Sequence, residues 1–262
     1  MSRIALTRPV SGSIARCELT HLRRQPIDLG RARAQHAAYE EALAALGCAV
    51  ERLPEEPELP DAVFVEDTAV VLDELAVVTR PGAASRRGET AAVAAALAAH
   101  RPVAHAEVPA TLDGGDVLRL GRTLFVGLGG RTNRAGVEAL RALAAPLGYT
   151  VRAVPFKGCL HLKSAATVVA PDTVLLNPSW VAAAFFGRVA LVEVDEAEPF
   201  AGNVLRLAGT VVMAAGAPRT RARLEARGVS VVAVDLSELA KAEGAVTCCS
   251  LVFEDPAPTA TG

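Results

Sequence analysis

The sequence predicts an α/β fold built from one repeated unit, and three observations carry that expectation. Pairs of short apolar runs joined by tight turns recur along the 262 residues, at intervals of roughly 40 to 50 positions, the range of repeat and propeller architectures. Most pairs are followed by a helix-forming segment and a further apolar run, so the order strand, strand, helix, strand returns. The last run, Ser250 to Phe253, has no partner downstream. Pairing it with the first, Ile4 to Thr7, completes a fifth unit and closes a ring that leaves no sheet edge open. An open mixed sheet without symmetry is the competing architecture.

After the opening strand, Pro9 to Leu29 is polar and aperiodic, broken by Gly12 and Pro26; loops of that length in a compact domain are often lids. A helix is expected from about Gly30 to Leu46, ended by Gly47, and then a strand over Ala49 to Leu53. In the next unit Val63-Phe64-Val65 reads as a strand leading into the hairpin Ala69 to Leu72 and Leu75 to Val78. An Ala-rich helix near Gly88 to Ala99 and a strand after Pro102 follow. Val117 to Leu120 and Leu124 to Val126 open the third unit, with a helix near Asn133 to Leu147 and a strand at Thr150 to Val154. Ala166 to Ala170 pairs with Thr173 to Leu176. Val204 to Leu207 pairs with Thr210 to Ala214, before a helix near Pro218 to Arg227 and a strand at Val229 to Val234. No linker divides the chain, so residues 1–262 are expected as one domain, and the Pro- and Thr-rich tail 255–262 reads as flexible.

Hydrophobic residues make up 51% of the chain but aromatics only 4%, so Ala, Val and Leu must build the core. A net charge of −2, with only short basic clusters, leaves no electrostatic footprint for nucleic acid. The start has no signal-peptide core, and the longest apolar run, Ala91 to Ala99, is too short for a bilayer. Five cysteines, an odd number with no C-x-x-C pair, argue against a disulfide framework or structural zinc. Together these features predict a soluble, cytoplasmic protein.

Cys248 and Cys249 lie between a glycine-led turn and the last strand, and a thiol needs a cation or base nearby to become a nucleophile. Alternation along a strand would turn Cys249 to the far face as an inert thiol; Cys17, Cys48 and Cys159 read as small apolar fillers, with Cys159 open to oxidation by its closeness to His161. Of five histidines, His36 and His100 fall in helical patterns and His105 in a polar loop, where packing or surface roles are commoner. His161, in the glycine-opened Lys157-Gly158-Cys159-Leu160-His161-Leu162-Lys163-Ser164, stands before a hairpin as a candidate acid/base.

Acids recur at hairpin starts: Asp61, Glu66 and Asp67, then Asp113 and Asp116 around Gly114-Gly115. Charges among apolar residues need partners, from protein arginines or an outside cation. Arginines cluster at Arg80 to Arg87 and Arg131 to Arg134; such forks clasp carboxylates, although a solvated arginine at a helix start is commoner. A ligand with a cationic end and a carboxylate end, such as an arginine derivative, would use the whole set.

Phe64-Val65-Glu66-Asp67, Arg80-Pro81-Gly82-Ala83-x-Ser85-Arg86-Arg87, Leu112 to Leu118, Arg131-Thr132-Asn133, Leu160 to Ser164 and Thr247-Cys248-Cys249-Ser250 closely resemble the dimethylarginine dimethylaminohydrolases. Six segments at matching spacing, spanning about residues 3 to 254, carry the resemblance. It implies a five-bladed α/β-propeller of repeated ββαβ units around a central pocket, in the guanidine-modifying superfamily. It implies hydrolysis of Nω-methylated L-arginine to L-citrulline and a methylamine, without a cofactor. Cys248 would be the nucleophile, His161 the acid/base and Asp113, Glu in some relatives, its orienting acid. Asp61, Glu66 and Asp67 would hold the guanidinium, Arg86 and Arg131 the α-carboxylate, and the carbonyls of Leu19 and Ala242 the α-ammonium. Zinc bound at Cys248 and His161 as an inhibitor, and assembly as a homodimer, are compatible with the resemblance. Arginine deiminase and amidinotransferase are the alternatives within the fold. A catalytically silent arginine-derivative binder and a cysteine protease lie outside it; an intact thiol, imidazole and acid set speaks against the first and an acidic, cation-shaped site against the second.

Overall fold

In the computed structural model, which describes residues 2–255, short apolar runs pair into five sheets of three strands each. The first sheet contains β1 (Ser2–Thr7) and β2 (Cys48–Arg52), joined by helix α1 (Leu29–Ala45). Its third strand, β15 (Leu251–Asp255), comes from the other end of the chain and pairs antiparallel with β1, Ile4 opposite Phe253. The expected ring closure is therefore present. Asp255 still belongs to this strand; the rest of the expected tail, 256–262, lies outside the described residues.

The other sheets repeat the same plan: an inner strand, an antiparallel middle strand and a parallel outer strand reached by a crossover. They are β3 (Ala69–Val71), β4 (Ala76–Val78) and β5 (Val103–His105) with α2 (Thr90–Ala98), and β6 (Val117–Leu120), β7 (Thr123–Leu128) and β8 (Thr150–Pro155) with α3 (Arg134–Ala144). The short helix α4 (Leu162–Ala165) leads into β9 (Ala166–Ala170), β10 (Thr173–Leu176) and β11 (Ala190–Glu193). The last sheet holds β12 (Val204–Leu207), β13 (Thr210–Ala214) and β14 (Ser230–Val234), with α5 (Pro218–Glu225), and α6 (Ser237–Ala240) follows.

Five apolar clusters lie between neighbouring sheets rather than within them. Ile4, Leu6 and Phe253 meet Ala69, Ala76 and Leu97; Val70 and Val77 meet Leu124 and Leu140. Leu118 and Phe125 meet Leu162 and Val174, Val169 and Leu175 meet Val211 and Leu224, and Val212 and Leu239 meet Ala5, Tyr39 and Leu43. A three-stranded sheet cannot bury its faces alone, so each blade depends on both neighbours. The inner strands surround a channel of about 560 Å³. No helix among the described residues is long and apolar enough to cross a membrane.

Two expectations change. Val63-Phe64-Val65 is a buried turn running into a 3-10 turn at Val65–Thr68, not a strand; a short apolar run does not by itself tell strand from buried turn. The fourth crossover is only a 3-10 turn, Ala183–Phe186, and its outer strand β11 was not foreseen.

Candidate active site

The loops at one end of the ring bring together Glu18, Asp61, Phe64, Asp67, Arg86, Arg131, Leu160, His161, Ala242, Glu243 and Cys248 around one pocket. Residues more than 200 positions apart thus share a cavity. The space left inside is about 10 Å³, roughly one water, and Glu18, from the covering loop expected over Pro9 to Leu29, forms part of its wall.

His161 immediately precedes α4, whose first backbone N–H, that of Leu162, donates to Asp116 Oδ1 at 2.9 Å. Its Nε2 lies 3.0 Å from Asp113 Oδ2 and its Nδ1 3.6 Å from Asp67 Oδ1. Asp113 is itself held by the Gly82 N–H at 2.8 Å. Burial alone would push the imidazole down, but the charge of Asp67 and the hydrogen bond to Asp113 prevail and raise its pKa to about 9. Burial would raise Asp67, yet the charges of His161 and Arg86 hold it at about 2. The Gly114-Gly115 pair has a steric reason: a Cβ on Gly115 would sit 2.6 Å from Asp67 Oδ1 and 2.7 Å from His161 Nδ1.

Cys248 lies in a turn three residues before the start of the last strand. Its carbonyl accepts the Glu66 N–H at 3.1 Å, and Asn203 brackets the preceding Thr247, accepting its N–H at 3.0 Å and donating to its Oγ1 at 2.9 Å. Burial first, then the charges of Glu66 and Asp67, push the Cys248 thiol above its usual range. Cys249 occupies the same turn rather than a strand and is fully buried, and burial pushes its thiol well above the usual range. Burial, with the charge of Asp116, also lifts the Cys159 thiol to about 12.

Asp61 borders the pocket, accepting the Glu18 N–H at 3.0 Å, and burial raises its pKa against the opposing charge of Arg86. Glu66 differs from expectation. Its carboxylate receives Lys163 Nζ and Thr247 Oγ1, each at 2.6 Å, and lines the central channel instead of the pocket; a buried acid takes the nearest cation.

Arg86 is not a free fork either. It donates to Asp67 at 2.5 Å, to both carboxylate oxygens of Glu89 and to two backbone carbonyls, which leaves one Nη1 hydrogen for the pocket. Arg131 reaches Thr20 Oγ1 with Nη2, while its Nη1 is buried without a partner. Ala242 borders the pocket; Leu19 stands beside Glu18, which does. Lys163, Glu89 and Glu243 had no assigned role in the sequence: the partners of Lys163 and Glu243 lie far along the chain, whereas Glu89 pairs with Arg86 three residues before it.

The inhibitory zinc expected at Cys248 and His161 would take a two-residue site. Among the described residues the trio close enough to share a metal ion is Asp67, Asp113 and His161, without Cys248, and both His161 nitrogens face acids.

A family model described as arginine deiminase matches residues 54–198, more than half of the chain. A dimethylarginine dimethylaminohydrolase of Streptomyces coelicolor is 44% identical, the alignment covering 95% of this chain and 96% of the relative. The chain belongs to the dimethylarginine dimethylaminohydrolase family. The family's member from Pseudomonas aeruginosa is 34% identical over 86% of this chain and 90% of that protein. Its solved structure, a cysteine variant complexed with citrulline, superposes with a TM-score of 0.92, covering 97% of this chain and all of that one at 32% identity. The five-bladed propeller is the family's fold as well as this chain's.

Proposed function

We propose that the protein hydrolyses Nω-methylated L-arginine to L-citrulline and a methylamine. The observation that carries this reading is the convergence of Cys248, His161, Asp61 and Asp67 on one pocket, in a chain whose relatives bear that activity in their names. The substrate's guanidinium lies between Asp61 and Asp67. Its positive charge, placed against Cys248, offsets the carboxylates that hold the thiol protonated, and the thiolate forms as the substrate arrives.

The thiolate attacks the guanidinium carbon. His161, protonated because Asp67 and Asp113 stabilise the imidazolium, gives its proton to the departing methylamine as the C–N bond breaks. The neutral imidazole then takes a proton from the water that attacks the covalent thiouronium, releasing citrulline and the thiol. Arg131, through its unpartnered Nη1, receives the α-carboxylate with the remaining Nη1 hydrogen of Arg86. The carbonyls of Leu19 and Ala242 receive the α-ammonium. No step requires a metal or organic cofactor. The five free thiols fit a reducing cytoplasm, and residues 1–262 act as one catalytic domain.

Citrulline formed from asymmetric dimethylarginine, from monomethylarginine and from arginine tests the reading. Methylated substrates are expected to dominate; preference for arginine would make the protein a deiminase instead. Cys248→Ser is expected to abolish turnover while substrate binding stays measurable.

A further inference from the structure

Glu243 has an unusual backbone and an unusual set of partners. It is one of two non-glycine residues with positive φ among the described residues, at +58°, in the left-handed region that side chains other than Asn and Gly adopt at a cost. Its N–H donates to Ala240 and that of Gly244 to Leu239, so this conformation ends α6. Its carboxylate accepts three consecutive backbone N–H groups of the covering loop: Thr20 at 3.1 Å, His21 at 2.5 Å and Leu22 at 2.6 Å. A carboxylate collecting several backbone donors is a strong, directional anchor.

We propose that Glu243 is the positioning residue for the substrate's α-ammonium, acting through the two carbonyls that receive it. This rests on the hydrolase reading above. The Leu19 carbonyl and the Thr20 N–H belong to one planar trans peptide and point in opposite directions. Fixing the N–H on Glu243 therefore fixes the carbonyl, and without that bond the plane is free to rotate. Ala242, the second acceptor, is the residue before Glu243, and the left-handed turn sets the direction of the peptide between them. One side chain thus couples both acceptors, although they lie 223 positions apart in sequence. Arg131 through Thr20 Oγ1, Asp61 through the Glu18 N–H and Ser85 through the Glu18 carboxylate also tie this part of the loop down, but none of these bonds sets the plane of the Leu19–Thr20 peptide.

Glu243→Asn and Glu243→Gly test this, since both tolerate positive φ and so keep the turn. With methylated arginine, KM is expected to rise about tenfold or more while kcat stays within about threefold, the signature of lost uniform binding. The discriminating probe carries the same methylated guanidinium and carboxylate on a pentanoate chain without the α-amino group: its kcat/KM should be equal in wild type and variants. Amide exchange without substrate should show Thr20, His21 and Leu22 protected in wild type and released in the variants. Equal losses for both substrates, or unchanged protection, would overturn the proposal. If wild type turned over neither compound the hydrolase reading would fail by itself, and the exchange result would still decide whether Glu243 holds the loop.

Discussion

At His161 burial and charge pull in opposite directions, and the balance sets the pH behaviour of the site. A pKa of about 9 in the fold against the ordinary 6.5 means that the imidazolium's contribution to stability is complete below pH 6.5 and is lost as pH rises through 9. Asp67, held at about 2 against 3.8, contributes above pH 3.8 and is lost as pH falls towards 2. His161→Gln is thus expected to flatten the decline of Tm between pH 6.5 and 9; an identical slope would sink the assignment of that charge. Turnover should also fall above about pH 9 as the leaving amine loses its proton donor. Glu89 offers a sharper structural test. Removing it in Glu89→Ala leaves the Arg86 guanidinium buried with one carboxylate fewer, at a cost of about 3 to 5 kcal/mol by denaturant titration. Asp113 and His161 were legible as candidates from local motifs, Asp113 beside Gly114 at a hairpin start and His161 in a segment opened by Gly158 ahead of another. Lys163 was not, because its partner Glu66 lies far along the chain, whereas Glu89, three residues from Arg86, carried a local i,i+3 signal.

Loops between strands carry the chemistry, and their shapes depend on a few stereochemical demands. Gly115→Ala would force a methyl group against Asp67 and His161, so activity is expected to drop by about a hundredfold or more while circular dichroism is unchanged, a misplacement effect. Asn133 caps α3, accepting the Gly136 N–H at 2.8 Å, and also ties the 109–111 segment by accepting the Thr111 N–H and donating to the Pro109 carbonyl. Asn133→Ala should cost about 1 to 2 kcal/mol, read from the unfolding midpoint. Hairpins were the most legible elements, as period-two apolar runs about a tight turn have few other uses. The buried turn at 63–68 defeated the same logic, because its apolar residues face a core without pairing. β11 was missed since its crossover lacks the helical periodicity that announced the others.

Across the whole molecule each apolar cluster joins two adjacent blades, so stability is shared around the ring and interrupted wherever one contact is missing. Deleting 251–255 is expected to give an insoluble or largely unfolded product, because it unpairs β1 and strips Leu251 and Phe253 from the core against α2. The overall plan was readable because a strand without a downstream partner demands one upstream. The final strand also begins only three positions after Cys248. In translation order the blade that begins first is therefore finished last, and the Cys248 sulfur leaves the ribosome just ahead of the segment that seals the circle. A nascent chain has nowhere to assemble the pocket around Cys248 until that segment is made, so cavity formation and topological closure arrive together.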